Sequence, residues 1–492
     1  MMCPAIFSAV SMRTQALASR TSPDAQAREC KRVANHRRTG KASSAVVSSI
    51  ARVQQTSVWC ARVFEDMTDT AEEHLMPVVS SGNESFCKIA SASRASRYRP
   101  MTFRRAVPWL SLLGACLLAI QSVAQKDFYS VADIDFSRYP TNGRLIRSEP
   151  IDGAPDGAAA FRVLYRSQGL HDEPIAVSGV VIVPQGAAPK NGRFIVAWAH
   201  PTSGLVSKCA PSRARVLFRS IQGLHEMLHR GFVVAATDYP GLGTPGPHPY
   251  LVGTSEGRAV LDSVRVARQM PGASASQVFA VWGHSQGGQA ALFTGILAKT
   301  YAPELHLAGV AAAAPATDLA TLLTEDMDTS GGRNITAMTL WSWSRVYGAP
   351  VDKLVTPEAI PVIDHLAGEC IERFFDVFAR RGPSKALSRS FLKVTNVSDV
   401  EPWHSLLATN TPGTLPPAIP VFLAQGMKDP LVLPSVTLSY KAKLCQAGTP
   451  VQFDSMPGVG HAFAGRDSAK AAVEWISRRF DGAVPPNTCS VN

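Results

Sequence analysis

The chain has 492 residues, 46% of them apolar, enough to bury a sizeable core and to form two or three domains. Its formal charge of +11 is gathered at one end: residues 1–105 hold 16 Lys and Arg against 8 Asp and Glu, leaving 33 against 30 in the remainder. A nearly neutral body with interspersed signs argues against nucleic acid or an anionic membrane surface as partner.

Residues 1–100 are rich in Ser, Ala and Arg, show no sustained periodicity, and carry Cys3, Cys30, Cys60 and Cys87 at no ligand spacing. Next come Arg104-Arg105, an apolar run over 106–120, and small residues ending at Ala124. That is the basic, apolar and cleavage-site order of a signal peptide, 101–124, and the run holds Pro108 and is too short to span a bilayer. Leu113-Gly114-Ala115-Cys116 has the look of a lipoprotein box but falls inside the apolar run. Met101 is thus expected to be the true start, and residues 1–100 a non-native or disordered extension. Cleavage leaves Cys209, Cys370, Cys445 and Cys489, an even count in an oxidising compartment. Two disulfides are expected, with all three connectivities open.

Residues 125–155 read as an N-terminal arm without clear periodicity. Strand patterns follow at 160–166, 175–183 and 193–199, then a helix over 214–229 stopped by Gly231. A buried strand at 232–237 and a helix at 254–270 lead to a third buried strand, a helix, and a strand at 307–314. Unbroken Val, Ile, Phe and Ala strands alternating with helices predict a parallel sheet covered on both faces. Residues 125–315 form the first part of this core. From 316 to 415 only helical stretches such as 362–380 occur, a helical cap or lid. Residues 416–492 resume the core, with strands at 419–424 and 451–456 and helices at 436–446 and 468–480. The fold class is α/β, a mostly parallel doubly wound sheet with a helical insertion before the acid-bearing strand.

The chemistry centres on Gly283-His284-Ser285-Gln286-Gly287, with an apolar strand before it and an Ala-rich helix after it. A G-x-S-x-G turn in that setting is the nucleophile elbow of an α/β-hydrolase fold. A serine hydroxyl needs a base and a group that orients the base, in the order Ser, acid, His. Asp429 directly follows strand 419–424, and His461 follows strand 451–456, on a loop. The expected catalytic residues are therefore Ser285, Asp429 and His461. Asp454 falls inside a strand, and Asp467 is expected to start the last helix. The N–H of Gln286 and that of Thr202 are the expected oxyanion donors, since Pro201 has none. His284 is the variable residue of the elbow and is not taken as base; Trp282 is expected to pack under the turn. In the cap, Met338, Trp341, Trp343, Phe374, Phe375 and Phe378 recur at helical spacing, as a cap core or an apolar acyl pocket.

His225-Glu226-Met227-Leu228-His229 offers a rival, the H-E-x-x-H helix of a zinc peptidase. No third ligand follows at the required spacing. Glu256 is the nearest acid, and it opens the next helix, so no metal site is expected.

With these residues assigned, the chain resembles the secretory lipase family of α/β-hydrolases, which includes the fungal lipase A enzymes. The resemblance runs over 197–461. It is carried by Cys209-Ala210-Pro211-Ser212, Val260-Leu261-Asp262-Ser263-Val264-Arg265, Trp282 to Gly288, and Tyr301-Ala302-Pro303-Glu304-Leu305. His200-Pro201 departs from the His-Gly frequent at that loop. The resemblance implies a carboxylic ester hydrolase, lipase or esterase, with a helical cap before the acid. Together with the signal segment and the three residues above, the expectation is an exported serine hydrolase acting through an acyl-enzyme without a cofactor. Its partner would be a small-molecule or lipid ester, with transient contact of the cap to a lipid interface. It also implies a disulfide from Cys209 to the cap, hence Cys209–Cys370, leaving Cys445–Cys489. A serine peptidase or an acyltransferase could use the same three residues.

Overall fold

The protein, in a computed structural model, is described over residues 127–371, 387 and 391–489. The expected extension 1–100, the signal peptide 101–124 and cap residues Phe374, Phe375 and Phe378 lie outside the described residues. Nine strands are present there: β1 (Leu145–Pro150), β2 (Ala158–Gln168), β3 (Pro174–Pro184), β4 (Arg193–Ala199), β5 (Val233–Thr237), β6 (Ala275–His284), β7 (His306–Ala313), β8 (Val421–Gly426) and β9 (Val451–Met456). They form one sheet in the order β1-β2-β3-β5-β4-β6-β7-β8-β9.

Neighbouring pairs from β5 through β9 are parallel, and every residue of β5 and β8 is buried, as strands covered on both faces must be. The sheet is not parallel throughout. Strands β1, β2 and β3 pair antiparallel, and β3 joins β5 antiparallel. Strand β1 lies within the segment expected to be an unpatterned arm. It is a half-buried edge strand, Leu-Ile-Arg-Ser-Glu-Pro, and an edge needs neither a continuous apolar run nor every N–H paired.

Helices α1 (Leu217–Ser220) and α2 (Leu224–His229) replace the single helix expected over 214–229; Gly223, at φ 80°, separates them. Helix α3 (Gly253–Ala267) and helix α4 (Gln286–Tyr301) follow. Between β7 and β8 lie α5 (Leu319–Glu325), α6 (Ser330–Val346), α7 (Ala359–Ala367) and α8 (Trp403–Asn410). Helix α7 starts before the expected 362–380 and stops before Gly368; residues 372–380 of that stretch lie outside the described residues. This insertion packs around Trp343 and Trp403, whose rings stand 6.2 Å apart, in a core it shares with Leu205, Tyr250 and Val436 from outside it. Helices α9 (Pro434–Gln446) and α10 (His461–Phe480) complete the chain. Residues of α3, α4 and α9 pack on one face of the sheet with Ile195, Val233 and Val281. Residues of α1, α2 and α10 pack on the other with Trp198, Trp282 and Val234.

Cysteines 209 and 370 form one disulfide and Cys445 and Cys489 the other. The first joins the loop after β4 to the helical insertion across 161 residues; the second ties α9 to the C-terminal tail. Closing the 44-residue interval of the second bridge restricts the unfolded chain. The paired change Cys445→Ser and Cys489→Ser should therefore lower unfolding stability by about 2–4 kcal/mol. Urea titration of the oxidised wild type beside the variant measures this, and coincident curves would contradict it.

Candidate active site

Strand β6 runs straight into Ser285, which sits at φ 59° and ψ −120°, a backbone region that a side-chain-bearing residue rarely occupies. Its N–H donates to the Ala313 carbonyl at the end of β7 (2.9 Å), which helps to hold the turn. The turn also needs two glycines. A Cβ on Gly283 would stand 2.0 Å from the Gly287 carbonyl oxygen, and one on Gly287 would stand 1.9 Å from the Ala199 oxygen. Helix α4 therefore begins hard against the end of β4, and its first N–H groups, unpaired within the helix, open beside Ser285.

His461 is not on a loop as expected. It is the first residue of α10, which starts seven residues early, after Gly460. Asp467 is consequently inside that helix rather than at its start, and pairs with Arg466. Asp429 follows β8 in a tight turn in which its Oδ1 accepts from the N–H groups of Leu431 (2.8 Å) and Val432 (2.9 Å). Its Oδ2 lies 2.7 Å from His461 Nδ1, and His461 Nε2 lies 2.8 Å from Ser285 Oγ. Facing a carboxylate, Nδ1 carries the ring proton, so Nε2 is free to accept from the serine hydroxyl. Burial pushes the Asp429 carboxyl up. The adjacent His461 charge and hydrogen bond, with the two backbone donors, outweigh it and leave Asp429 below its ordinary value. Asp454 sits in β9, outside this cluster.

The tertiary structure gives partners to several residues near the turn, and Trp282 packs beneath it as expected. His284, buried under the turn, places Nε2 3.1 Å from the His461 carbonyl oxygen. Burial, with the nearby His461 charge, pushes it down to about 3, so it stays neutral and steadies the backbone of His461. Trp282 is fully buried and donates to the Gln222 carbonyl (3.0 Å). Gln286, expected for its backbone N–H, has a buried side chain whose Nε2 lies 2.8 Å from both Glu256 Oε1 and His248 Nε2. His248 Nδ1 lies 2.9 Å from the Pro240 carbonyl, so that nitrogen carries the proton and Nε2 accepts from Gln286. Glu256 also accepts from the Leu251 N–H (3.0 Å). The residues of this cluster are 30 and 38 positions from Gln286, and no local pattern links them.

A cavity of about 310 Å³ opens on Ser285 and His461. Thr202, Ile335 of α6, Ile371, Leu431 and Phe463 line it. Thr202 Oγ1 lies 3.0 Å from the Tyr250 hydroxyl. Met338 and Trp343 are buried in the core of the insertion, and the Trp341 Nε1–H donates to Asp364 (2.9 Å). None of the three lines the cavity. A larger cleft, about 770 Å³, lies elsewhere, and in its wall Arg265 pairs with Asp262 and Glu304. His225 and His229 stand exposed on α2, with Glu226 between them. Among the described residues no group of three or more His, Cys, Asp or Glu is placed to hold a metal. Glu256 is buried against Gln286 instead.

Burial raises the Glu256 carboxyl from 4.5 to about 8, so the folded protein holds a proton there that the unfolded chain releases. That contribution is complete below 4.5 and fades as pH rises through about 8. His200 and His248, held below 6.5 by burial, and His284 act the other way and weaken the fold as pH falls below about 6.5. Asp262, raised to about 6 by burial, acts below the same window. Between pH 6.5 and 8 stability should thus decline in the wild type and stay flatter in Glu256→Gln. Urea unfolding across that range tests this, and equal slopes would refute it.

A secreted triacylglycerol lipase of Malassezia globosa is 25% identical over 380 residues, covering 70% of this chain and 77% of the relative. A lipase A of Moesziomyces aphidis is 23% identical, covering 70% and 78%. Among solved structures, Candida antarctica lipase A superposes with a TM-score of 0.59 at 20% identity, covering 71% of this chain and 84% of that one. The rice cell wall degrading esterase of Xanthomonas oryzae gives 0.56 at 20%, covering 70% and 100%. These two share the fold, which is that of the α/β-hydrolases. The profile of the secretory lipase family matches residues 220–487, more than half of the chain and nearly all of the sheet from β5 onward, and by that match the chain belongs to the secretory lipase family.

Proposed function

We propose that the protein is an exported serine carboxylic-ester hydrolase in which Ser285 is the nucleophile, His461 the base and Asp429 the orienting acid. The observation that carries this reading is the unbroken chain Asp429 Oδ2, His461 Nδ1, His461 Nε2, Ser285 Oγ, with links of 2.7 and 2.8 Å, at the floor of a cavity. Ser285 Oγ attacks the ester carbonyl carbon while its proton passes to His461 Nε2. Asp429, held ionised by its surroundings, stabilises the imidazolium. The carbonyl oxygen, now an anion, is met by the N–H of Gln286 at the start of α4 and by that of Thr202. Collapse breaks the bond to the alcohol, which leaves with the proton from His461. A water then attacks the acyl-enzyme by the same route and frees the acid and Ser285.

The helical insertion 316–415 is read as a cap, because Ile335, Cys370 and Ile371 contribute to the cavity wall over Ser285. Lipid esters are the substrate class suggested by the names of the relatives, and the secreted relatives support export. Two disulfides are in keeping with an oxidising compartment. No helix among the described residues is long and apolar enough to cross a membrane.

A fluorophosphonate probe should label the wild type and not Ser285→Ala, and esters of 4-nitrophenol should be cleaved in preference to aminoacyl amides. Lack of labelling of the wild type would overturn the mechanism. Asp429→Asn, which favours the wrong histidine tautomer, should lower kcat by about 10³–10⁴-fold with little change in labelling stoichiometry after long exposure. Thr202→Pro deletes the proposed donor and should reduce kcat by about 10²–10³-fold, whereas Thr202→Val keeps it and should reduce kcat far less. Equal losses in the two Thr202 variants, read from steady-state kinetics, would remove Thr202 from the oxyanion site.

A further inference from the structure

Among the described residues, the cavity above Ser285 is lined by four cationic side chains, Lys208, Arg213, Arg219 and Arg466, and by no Asp or Glu. Beyond residue 105 the chain carries 33 basic against 30 acidic residues, so a wall of one sign is not inherited from the overall composition. The four cations come from three separate places: the 3-10 turns Ser207–Cys209 and Pro211–Arg213, helix α1, and helix α10.

Two of them are engaged. Arg213 pairs with Asp127 at 3.3 Å and lies over the Tyr129 ring; Arg466 pairs with Asp467 at 2.7 Å and lies over Phe463. Lys208 and Arg219 are exposed and make no ion pair or side-chain hydrogen bond with any described residue. The same cavity also has apolar lining residues, Ala210, Pro211, Val216, Ile335 and Leu431, beside neutral polar ones such as Thr202, Ser203 and Gln222. A cleft with low-dielectric walls and uncancelled charge of one sign concentrates the opposite charge within it. A neutral ester would make no use of this arrangement. An ester with an apolar body and an acidic end would use both parts.

Building on the serine hydrolase reading above, we propose that the preferred substrate is an ester bearing a second, anionic group, carboxylate or phosphate, several bonds from the scissile carbonyl. The apolar part seats against the cavity wall while the acid reaches Lys208 and Arg219 at the rim. The chemistry at Ser285 is unchanged; the charge raises the occupancy of the site and the rate of encounter.

The test compares two monomeric esters of equal length, 4-nitrophenyl hexanoate and 4-nitrophenyl hydrogen adipate, whose remote carboxylate is the difference. At low salt kcat/KM for the adipate should exceed that for the hexanoate about tenfold, the scale expected for a few partly screened charges acting together. The ratio should shrink as salt is added. It should fall toward one in Lys208→Gln/Arg219→Gln and invert in Lys208→Glu/Arg219→Glu. A ratio of one or less in the wild type, or a ratio unmoved by the charge-reversed pair, would overturn the proposal. So would an absence of preference for the monomeric adipate together with faster tributyrin hydrolysis on phosphatidylglycerol than on phosphatidylcholine vesicles, because the rim would then read an interface. Failure of the underlying reading looks different: neither ester is cleaved and the fluorophosphonate leaves Ser285 unlabelled, and the proposal falls with it.

Discussion

The contact on which the site depends is the approach of helix α4 to the end of β4, backbone against backbone at Gly287 and Ala199. Nothing larger than a hydrogen fits at Gly287 or at Gly283, and that closeness forces the chain through Ser285 at a positive φ. Such a conformation costs on the order of 1–3 kcal/mol and persists only where the surroundings over-determine it. Here they do so through the Ser285 N–H bond to Ala313 and the burial of β6 between β4 and β7. The same turn lifts Oγ out of the sheet edge and brings the N-terminal N–H groups of α4 beside it.

The other proposed participants are fixed by groups that never meet a substrate. Asp429 is locked by the N–H groups of Leu431 and Val432, and His461 by its place as the first residue of α10 and by His284 against its carbonyl. Gln286 is held from below by Glu256 and neutral His248. In a buried setting each half-satisfied member would be expensive, so these layers give rigidity as well as position. One such debt is visible, since Glu256 Oε2 is buried without a partner, consistent with a carboxyl that stays protonated up to about pH 8.

The insertion between β7 and β8 has a different balance. Among the described residues, Trp343 and Trp403 are buried in the core of the insertion, and Ile335 and Ile371 are its aliphatic side chains at the cavity. Among the described residues, the cations at the cavity come from the turns after β4 anchored by Cys209–Cys370, from α1 and from the first turns of α10. Those turns are also tied to the sheet by Asp238, which accepts from the N–H and hydroxyl of Ser212 and from the hydroxyl of Ser178.

The amino-acid sequence by itself determined the α/β class and the positions of β4 to β9, and it singled out Ser285, Asp429 and His461, which the fold brings into one hydrogen-bonded chain. Buried parallel strands are continuous apolar runs, and the acid and histidine must follow particular strands, so both are local signals. It did not reveal β1, because an edge strand needs no apolar run, nor the split at Gly223 between α1 and α2. It placed His461 on a loop, because a helix that opens with His-Ala-Phe-Ala-Gly carries no capping side chain to mark its start. What only the tertiary structure decided is what lies behind and around the site: Glu256 and His248 beneath Gln286, His284 against His461, and four cations at one cavity. Glu256, His248, His284 and Arg466 are remote along the chain from the groups they join, and only the folding of the sheet brings them within hydrogen-bonding or electrostatic reach.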